Sequence, residues 1–302
     1  MPEPQPLAIN ALRRLIDATP AGHVRHVDPL PVELLAWKGV KVADVKAFHG
    51  GYYGASSATF AAVGDFDAAA LQAQVTSLYG NWKAQQPYVR IPVAVKPVSG
   101  EKISLETPDK ANSVLLAVAP VPLKDDAASY PALVIANHML GGGALRSRLA
   151  DRIRQKEGLS YGVSSQLSVP VHEAAGYWMA FAISAPQNTV KVEAALREEI
   201  AKVLAEGFTE AELTEAKKGW LQSEEVSRTQ DGPLARSLSS YLSDGRTMAY
   251  DKNLEAKVAA LTLAQVNQSL RDYLKPEVVS VVTAGDFAKV AKESGAKAAT
   301  AK

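Results

Sequence analysis

The sequence predicts an α+β fold, a mainly antiparallel sheet covered by helices on one side, present in two copies of which the first is truncated. Three observations predict it. The stretch Val42 to Phe66, "VADVKAFHGGYYGASSATFAAVGDF", aligns without a gap on Leu263 to Phe287, "LAQVNQSLRDYLKPEVVSVVTAGDF", at a constant offset of 221. Strand patterns in the later part follow one another as hairpins rather than alternating singly with helices. Helical stretches with apolar residues three and four apart supply the covering layer.

In the repeat, Val45 falls on Val266, Tyr52 on Tyr273, and Gly64-Asp65-Phe66 on Gly285-Asp286-Phe287. Each copy reads as an amphipathic helix, a turn, a strand of small and β-branched residues, and a Gly-Asp-Phe corner. The second helix opens with a capping box, Thr262 and Gln265. An offset this long means two copies of a whole domain rather than a solenoid. Between the copies, "PYVRIPVAVKPVSG" has the prolines and extended residues of a linker. Residues 1–86 are therefore expected to form the end of a first domain, 87–100 a linker, 101–290 a complete domain, and 291–302 a disordered tail. On the same offset, roughly 120 residues of the first domain would precede Met1; the alternative is a first unit that is simply small and divergent.

In the complete unit, "KISLETPDKANSVLLAVAPVPL" gives two strands around Pro108-Asp109, the second apolar enough from Val114 to Val118 to be buried on both faces. "YPALVIANHMLGG" follows as a helix ended by glycines. In "GGGALRSRLADRIRQKEG", Leu145, Leu149 and Ile153 recur every four residues as a buried stripe, which turns Arg154 outward. Gly158 stops that helix. A strand with Leu159, Tyr161, Val163, Leu167 and Val169 on one face comes next, then "GYWMAFAIS", its antiparallel partner. One helix carries Val192, Leu196, Ile200 and Val203 to Gly207; another begins in a Thr209–Glu212 capping box and carries Leu213, Ala216, Trp220 and Leu221. "DGPLARSLSSYLSDGR" adds a shorter helix before the repeat element closes the unit.

Composition narrows function by exclusion. Charged residues are 22% with a net charge of +1, which argues against a nucleic-acid surface. No cysteine is present, so thiolate metal sites, thiol nucleophiles and disulfides are all absent. No stretch reaches the roughly 18 apolar residues of a membrane span.

A zinc hydrolase of the helical type needs two imidazoles and a carboxylate at a spacing such as H-x-x-E-H, and that pattern does not occur. Of the five histidines, only His23 and His26 are close, in "HVRHVD" with Asp28, where the flanking prolines favour a polar loop over a metal site. His138, inside an apolar helix, reads as a core residue. Gly141-Gly142-Gly143 before a helix could cradle an anion, yet lacks the rest of a phosphate loop, so a helix-start hinge is the better reading. What stands out is the corner from Arg154 to Tyr161. An outward arginine is usually solvated and a strand tyrosine usually lines a core, but a guanidinium beside a phenol can also hold a carbonyl or a developing oxyanion.

"GGGALRSRLADRIRQKEGLSYGVSS" and "FHGGYYGASSATFAAVGDFDAAALQAQVTSLYGNWK" resemble segments of the insulinase/pitrilysin family of zinc metallopeptidases, which includes mitochondrial processing peptidase. The resemblance covers most of the chain, from about Thr19 to Phe287. It implies the metallohydrolase fold of the processing-peptidase type. In that family one domain carries H-x-x-E-H, while another contributes an arginine and a tyrosine that contact substrate across a cavity; matched by spacing, these are Arg154 and Tyr161. The resemblance thus implies a non-catalytic, substrate-contacting C-terminal region of a bacterial zinc metalloendopeptidase. This chain alone would be inactive, hold no cofactor, and act on a peptide beside a zinc-binding peptidase domain or subunit. The alternative is a structural or pairing subunit with no role in cleavage. Periplasm and cytoplasm both remain open as compartments.

Overall fold

The computed structural model describes residues 3–300, with side chains described except at 144 and 294–300. Five strands form one sheet in the order β1-β5-β2-β4-β3: β1 Lys102–Glu106, β2 Ser113–Val121, β3 Gly162–Ser168, β4 Gly176–Ser184 and β5 Ser280–Gly285. β1 pairs parallel with β5, and the other neighbours are antiparallel, so the α+β class with a mainly antiparallel sheet is the one observed. β2 and β5 lie inside the sheet and are buried along almost their whole length, which is why both read as continuous apolar runs.

Eleven α-helices are present among the described residues: α1 Pro4–Ile16, α2 Leu30–Gly39, α3 Val42–Tyr52, α4 Ala68–Tyr79, α5 Tyr130–Asn137, α6 Thr189–Glu206, α7 Glu210–Arg228, α8 Asp231–Ser243, α9 Ala249–Ala260, α10 Leu263–Tyr273 and α11 Phe287–Thr300. Contacts divide the chain into two compact units. One comprises Met1–Leu30, Val93–Trp220 and Lys257–Lys302 and contains the sheet; the other comprises Pro31–Pro92 and Leu221–Ala256. This grouping differs from the linear scheme divided at 87–100, because α1 packs on the sheet: Ala8, Leu12 and Ile16 meet Val114, Leu116, Val118, Val282 and Ala284. Ser113, of opposite parity on β2, bonds Thr189 at the start of α6 at 2.6 Å. α1 and α6 therefore cover opposite faces, since alternate residues of a strand point opposite ways.

The caps expected from sequence are present. Thr209 and Glu212 exchange hydrogen bonds at the start of α7, as do Thr262 and Gln265 at α10. Gly158 and Gly207 have φ of +60° and +79°, the conformation that lets a glycine end a helix. Three details differ from expectation. Leu145 is exposed while Leu149 and Ile153 are fully buried, because the helix proper starts only after a short 3₁₀ turn, Ala144–Arg146. α9 occupies a stretch whose weak apolar period gave no signal. Residues 291–300, expected as part of the tail, continue α11; 301–302 lie outside the described residues.

The two copies of the repeat have different fates. In the second, α10 leads into β5, inside the sheet between β1 and β2. The Asp286 carboxylate then accepts from the backbone N–H of Asp109 in the β1–β2 turn at 2.9 Å and from that of Lys289 at 3.1 Å. In the first copy α3 forms as expected, but Ala58 to Val63 forms no strand among the described residues, and the Thr59 hydroxyl instead bonds the hydroxyls of Ser239 and Ser243 at 3.0 and 3.2 Å. A strand is a pairing, and the local sequence specifies only its willingness to pair.

Candidate functional site

The corner between β4 and the Arg154 helix is built within the sheet unit. Ala150–Lys156 winds as a π-helix, a form that is rare and often found at functional sites. Leu159 N–H closes it on the Ile153 carbonyl at 2.9 Å. Beyond Gly158 the chain is pinned to β4: Tyr161 N–H donates to the Ile183 carbonyl at 2.9 Å, and the Ser160 hydroxyl donates to the carbonyls of Ile183 and Gly162 at 2.6 and 2.7 Å. The backbone under Tyr161 is thus fixed, while its side chain is 70% exposed. Tyr161 precedes β3 rather than lying in it, so it escapes the inward face on which the alternation had placed it.

Arg154 is also exposed, and it makes no hydrogen bond or ion pair among the described residues. Its neighbours behave differently. Arg148 bonds Glu212 through Nε at 2.6 Å and Nη2 at 2.9 Å, donates to the Gly207 carbonyl at 3.0 Å, lies 3.7 Å from Glu199, and stacks its guanidinium over Phe208 at 5.1 Å. Arg152 is held by Glu157 and, at 2.7 Å, by Glu198. Arg146 makes an exposed ion pair with Glu215 at 3.6 Å, so of the four arginines in this segment Arg148 and Arg152 are spent on architecture and Arg154 alone makes no ion pair among the described residues. Arg154 is open, as is the Tyr161 ring seven residues on, and no hydrogen bond joins the two.

Electrostatics separates the same groups. Burial alone would raise the Glu212 carboxyl, but the Arg148 hydrogen bonds, the Thr209 N–H and hydroxyl, and the Arg148 charge outweigh it and hold it at about 2. Its hydrogen bonds to Glu212 in turn raise the pKa of the Arg148 guanidinium against the opposing effect of burial. A permanently charged pair of this kind suits a brace, since its protonation is insensitive to neutral pH.

The glycine run next to the corner has a steric explanation. A Cβ on Gly141 would lie 2.8 Å from the Ser165 backbone nitrogen, one on Gly142 2.8 Å from Asn137 Nδ2, and one on Gly143 2.7 Å from the His138 carbonyl oxygen. The run lets the π-helical turn His138–Gly142 lie against β3. Asn137 anchors it there: its Oδ1 accepts from Ser165 Oγ at 2.7 Å and from Trp178 Nε1 at 3.1 Å. A hinge or anion cradle is not needed to account for it. His138 is half-buried, and burial lowers its imidazole pKa; it lines a cavity of about 390 Å³ with Met139, Arg146, Glu215 and Gly219. Neither Arg154 nor Tyr161 lines that cavity.

The "HVRHVD" segment serves as a loop staple. His26 Nδ1 lies 2.9 Å from Asp17 and 3.0 Å from the Thr19 carbonyl, and His23 Nδ1 accepts from Arg25 N–H at 3.1 Å. Among the described residues no group of three or more His, Cys, Asp or Glu side chains could hold a metal ion, so the residues present do not fit a zinc centre. No helix of the described residues is long and apolar enough to cross a membrane.

With this geometry in place, comparison with known proteins becomes informative. The family model of the peptidase M16 inactive domain matches residues 39–219. The chain belongs to the peptidase M16 inactive-domain family. One curated relative of this M16 chain, the "Non-peptidase homolog YmxG" of Helicobacter pylori, is 28% identical over 155 residues, covering 51% of this chain and 35% of its own. A crystal structure of a peptidase M16 inactive domain from Pseudomonas fluorescens superposes with a TM-score of 0.74 at 22% identity, over 94% of this chain and 65% of that one. A protease from Helicobacter pylori superposes at 0.68 with 16% identity, over 82% and 59%. At such identities the structural likeness shows the M16 fold alone. The M16 chain spans about a third of its curated relative and less than two thirds of these solved chains.

The sequence singled out Arg154 and Tyr161 but missed the frame around them. Arg148, Glu212, Asn137 and Ser165 make up that frame, and a signal was available for one of them: Glu212 was already assigned to a capping box.

Proposed function

We propose that this inactive M16 domain presents Arg154 and Tyr161 to a peptide substrate whose cleavage depends on zinc bound by another domain or subunit. The observation that carries this reading is the contrast among the arginines: Arg148 and Arg152 are each held by carboxylates, whereas Arg154 is exposed and unpaired among the described residues, seven residues before the exposed Tyr161. A guanidinium and a phenol offer several N–H and O–H donors and no competing base. Aimed at a peptide carbonyl, they would strengthen as negative charge develops on its oxygen. The chain's own part is to bind and orient; its residues supply no metal site. The repeat supports the accompanying organisation, in which the Val42–Phe66 copy ends one peptidase-like domain and a second, complete one follows.

The test is Arg154→Ala and Tyr161→Phe in an assembly reconstituted with its zinc-binding partner. Each is expected to lower peptide turnover by ~10²-fold or more, as for loss of an oxyanion donor, without loss of assembly. Unchanged turnover would remove the proposed role. A second reading, a pairing subunit that takes no part in cleavage, draws support from the Helicobacter pylori relative, itself named a non-peptidase homolog. Under it both substitutions are silent, while changes at the partner surface dissociate the complex.

A further inference from the structure

The exposed Tyr161 ring makes no hydrogen bond or ring contact among the described residues, so nothing on the side chain itself fixes the phenol. Its position is inherited from the backbone. That backbone runs between two glycines, Gly158 and Gly162. A Cβ on either would meet nothing within 4 Å, so neither is clamped by its surroundings, and glycine is the residue with most conformational freedom to lose.

The restraint comes from Ser160. It is 7% exposed, and among the described residues it is the one side chain of Gly158 to Gly162 that makes a hydrogen bond. Its Oγ lies 2.6 Å from the Ile183 carbonyl and 2.7 Å from the Gly162 carbonyl, and it accepts the Gly162 N–H at 3.2 Å. These contacts straddle Tyr161. They tie the residue before it to the residue after it, and both to β4. The Ile183 carbonyl also receives the Tyr161 N–H at 2.9 Å, so consecutive residues of the corner occupy both lone pairs of one β4 oxygen. The side-chain bond that reaches this segment from α6 is longer, Asn188 Nδ2 to the Leu159 carbonyl at 3.4 Å. Alanine at 160 would therefore leave the Gly162 N–H and carbonyl without this partner and Tyr161 on a single backbone bond.

We infer that Ser160 is the positioning residue of the Arg154–Tyr161 site, holding the backbone of Tyr161 where the phenol meets a peptide carbonyl. The inference rests on the role proposed for Tyr161. A misplacement of about 1 Å can cost a reaction ~10²-fold. Without the Ser160 hydroxyl the phenol is still present but no longer held, so the loss falls on kcat rather than on KM. It is bounded by the loss on removing the phenolic oxygen itself.

Ser160→Ala, Tyr161→Phe and the double variant are compared in the assembly reconstituted with its zinc-binding partner. Ser160→Ala is expected to lower kcat ~10-fold or more with KM within about twofold. In the Tyr161→Phe background it should add less than about twofold, because the two residues act as one unit. In the full chain, the Tyr161 and Gly162 amides of Ser160→Ala should exchange with solvent ~10-fold or more faster, while those of Val281 and Val282 in β5 keep their rates, as for local opening. If Ser160→Ala does not fold, Ser160→Cys, which replaces the hydroxyl with a weaker donor, is expected to show the same pattern at smaller amplitude. An unchanged kcat for the Ser160 variant beside a slow Tyr161→Phe would overturn the positioning role and leave the role of Tyr161 standing. A silent Tyr161→Phe would remove both. Full additivity of the two substitutions, or equally faster exchange in β5, would make Ser160 a general support of the fold and overturn the inference as well.

Discussion

Arg148 and Glu212 meet in a two-pronged ion pair, Nε to Oε1 at 2.6 Å and Nη2 to Oε2 at 2.9 Å, which ties the segment leading to the Arg154–Tyr161 corner to the first turn of α7. Because Arg148 also faces the buried Glu199 and the Gly207 carbonyl, removing it strands more than one acceptor. Arg148→Ala is expected to cost about 2–4 kcal/mol, read from the urea midpoint. Arg154→Ala, which breaks no contact, should stay within about 0.5 kcal/mol. Equal costs for the two would contradict the division of labour drawn here.

The same pair sets an acid limit. Glu212 and Asp17 are both held at about 2, against ordinary values of 4.5 and 3.8. For Asp17, burial opposes the shift and is outweighed by hydrogen bonds from Thr19 and Val27 and by the His26 charge. Depressed carboxyls contribute stability that is complete above the ordinary value and lost as pH falls toward the folded one. Stability should therefore decline between pH 4.5 and 2, with Glu212, partly solvated, accounting for about 1–2 kcal/mol. Chemical denaturation of Glu212→Gln across that range should show a shallower decline; an unaltered slope would reject the assignment.

Glu224 has the opposite sign. Burial first, then the charges of Asp251 and Glu255, push its carboxyl up from 4.5, and Arg228 only partly offsets them. Its folded state favours the neutral form, so the associated stability is present below the ordinary value and lost as pH rises through the folded one. Glu224→Gln should raise the melting temperature at pH 7, a gain of about 0.5–1 kcal/mol. A fall instead would mean that Arg228, already 2.5 Å from Glu255, depends on Glu224 as well.

Glycines divide by surroundings. Gly285→Ala places a Cβ 2.7 Å from Ser113 Cβ and 3.0 Å from the Phe287 ring in a packed strand end, and should cost about 1–3 kcal/mol. Gly50→Ala, in α3 with nothing within 4 Å, should gain about 0.5–1 kcal/mol from helix propensity. Thermal melts of the two variants moving in the same direction would be inconsistent with these environments.

How far the sequence could be followed depends on the range of the interactions involved. β2 and β5 were legible because a strand buried on both faces is apolar throughout. The capping boxes at Thr209 and Thr262 were legible because their partners lie three residues apart, and Arg154 could be turned outward by counting helical turns from Leu149 and Ile153. The bidentate Arg148–Glu212 pair was not, since its members are 64 residues apart and nothing local in either announces the other. The Gly141–Gly143 run was only partly legible for a related reason: Gly141 is required by Ser165 on β3, distant in sequence, while Gly142 and Gly143 are required by Asn137 and His138 of the same turn.

The chemistry of the chain thus follows from its residues alone: no thiol, no paired histidine motif, a repeated helix-strand-Gly-Asp-Phe element, and a single arginine–tyrosine corner. Tertiary structure decided which of those residues are available. Aligned copies of one element gave a strand buried inside the sheet at Ser280–Gly285 and, among the described residues, no strand at Ala58 to Val63, because pairing energy belongs to the neighbouring strands and only folding brings them alongside. Likewise four arginines close in sequence became two braces, Arg148 and Arg152, one exposed ion pair, Arg146 with Glu215, and one open cation, Arg154, since the carboxylates that occupy the first three come largely from α6 and α7, distant in the chain and adjacent only in space.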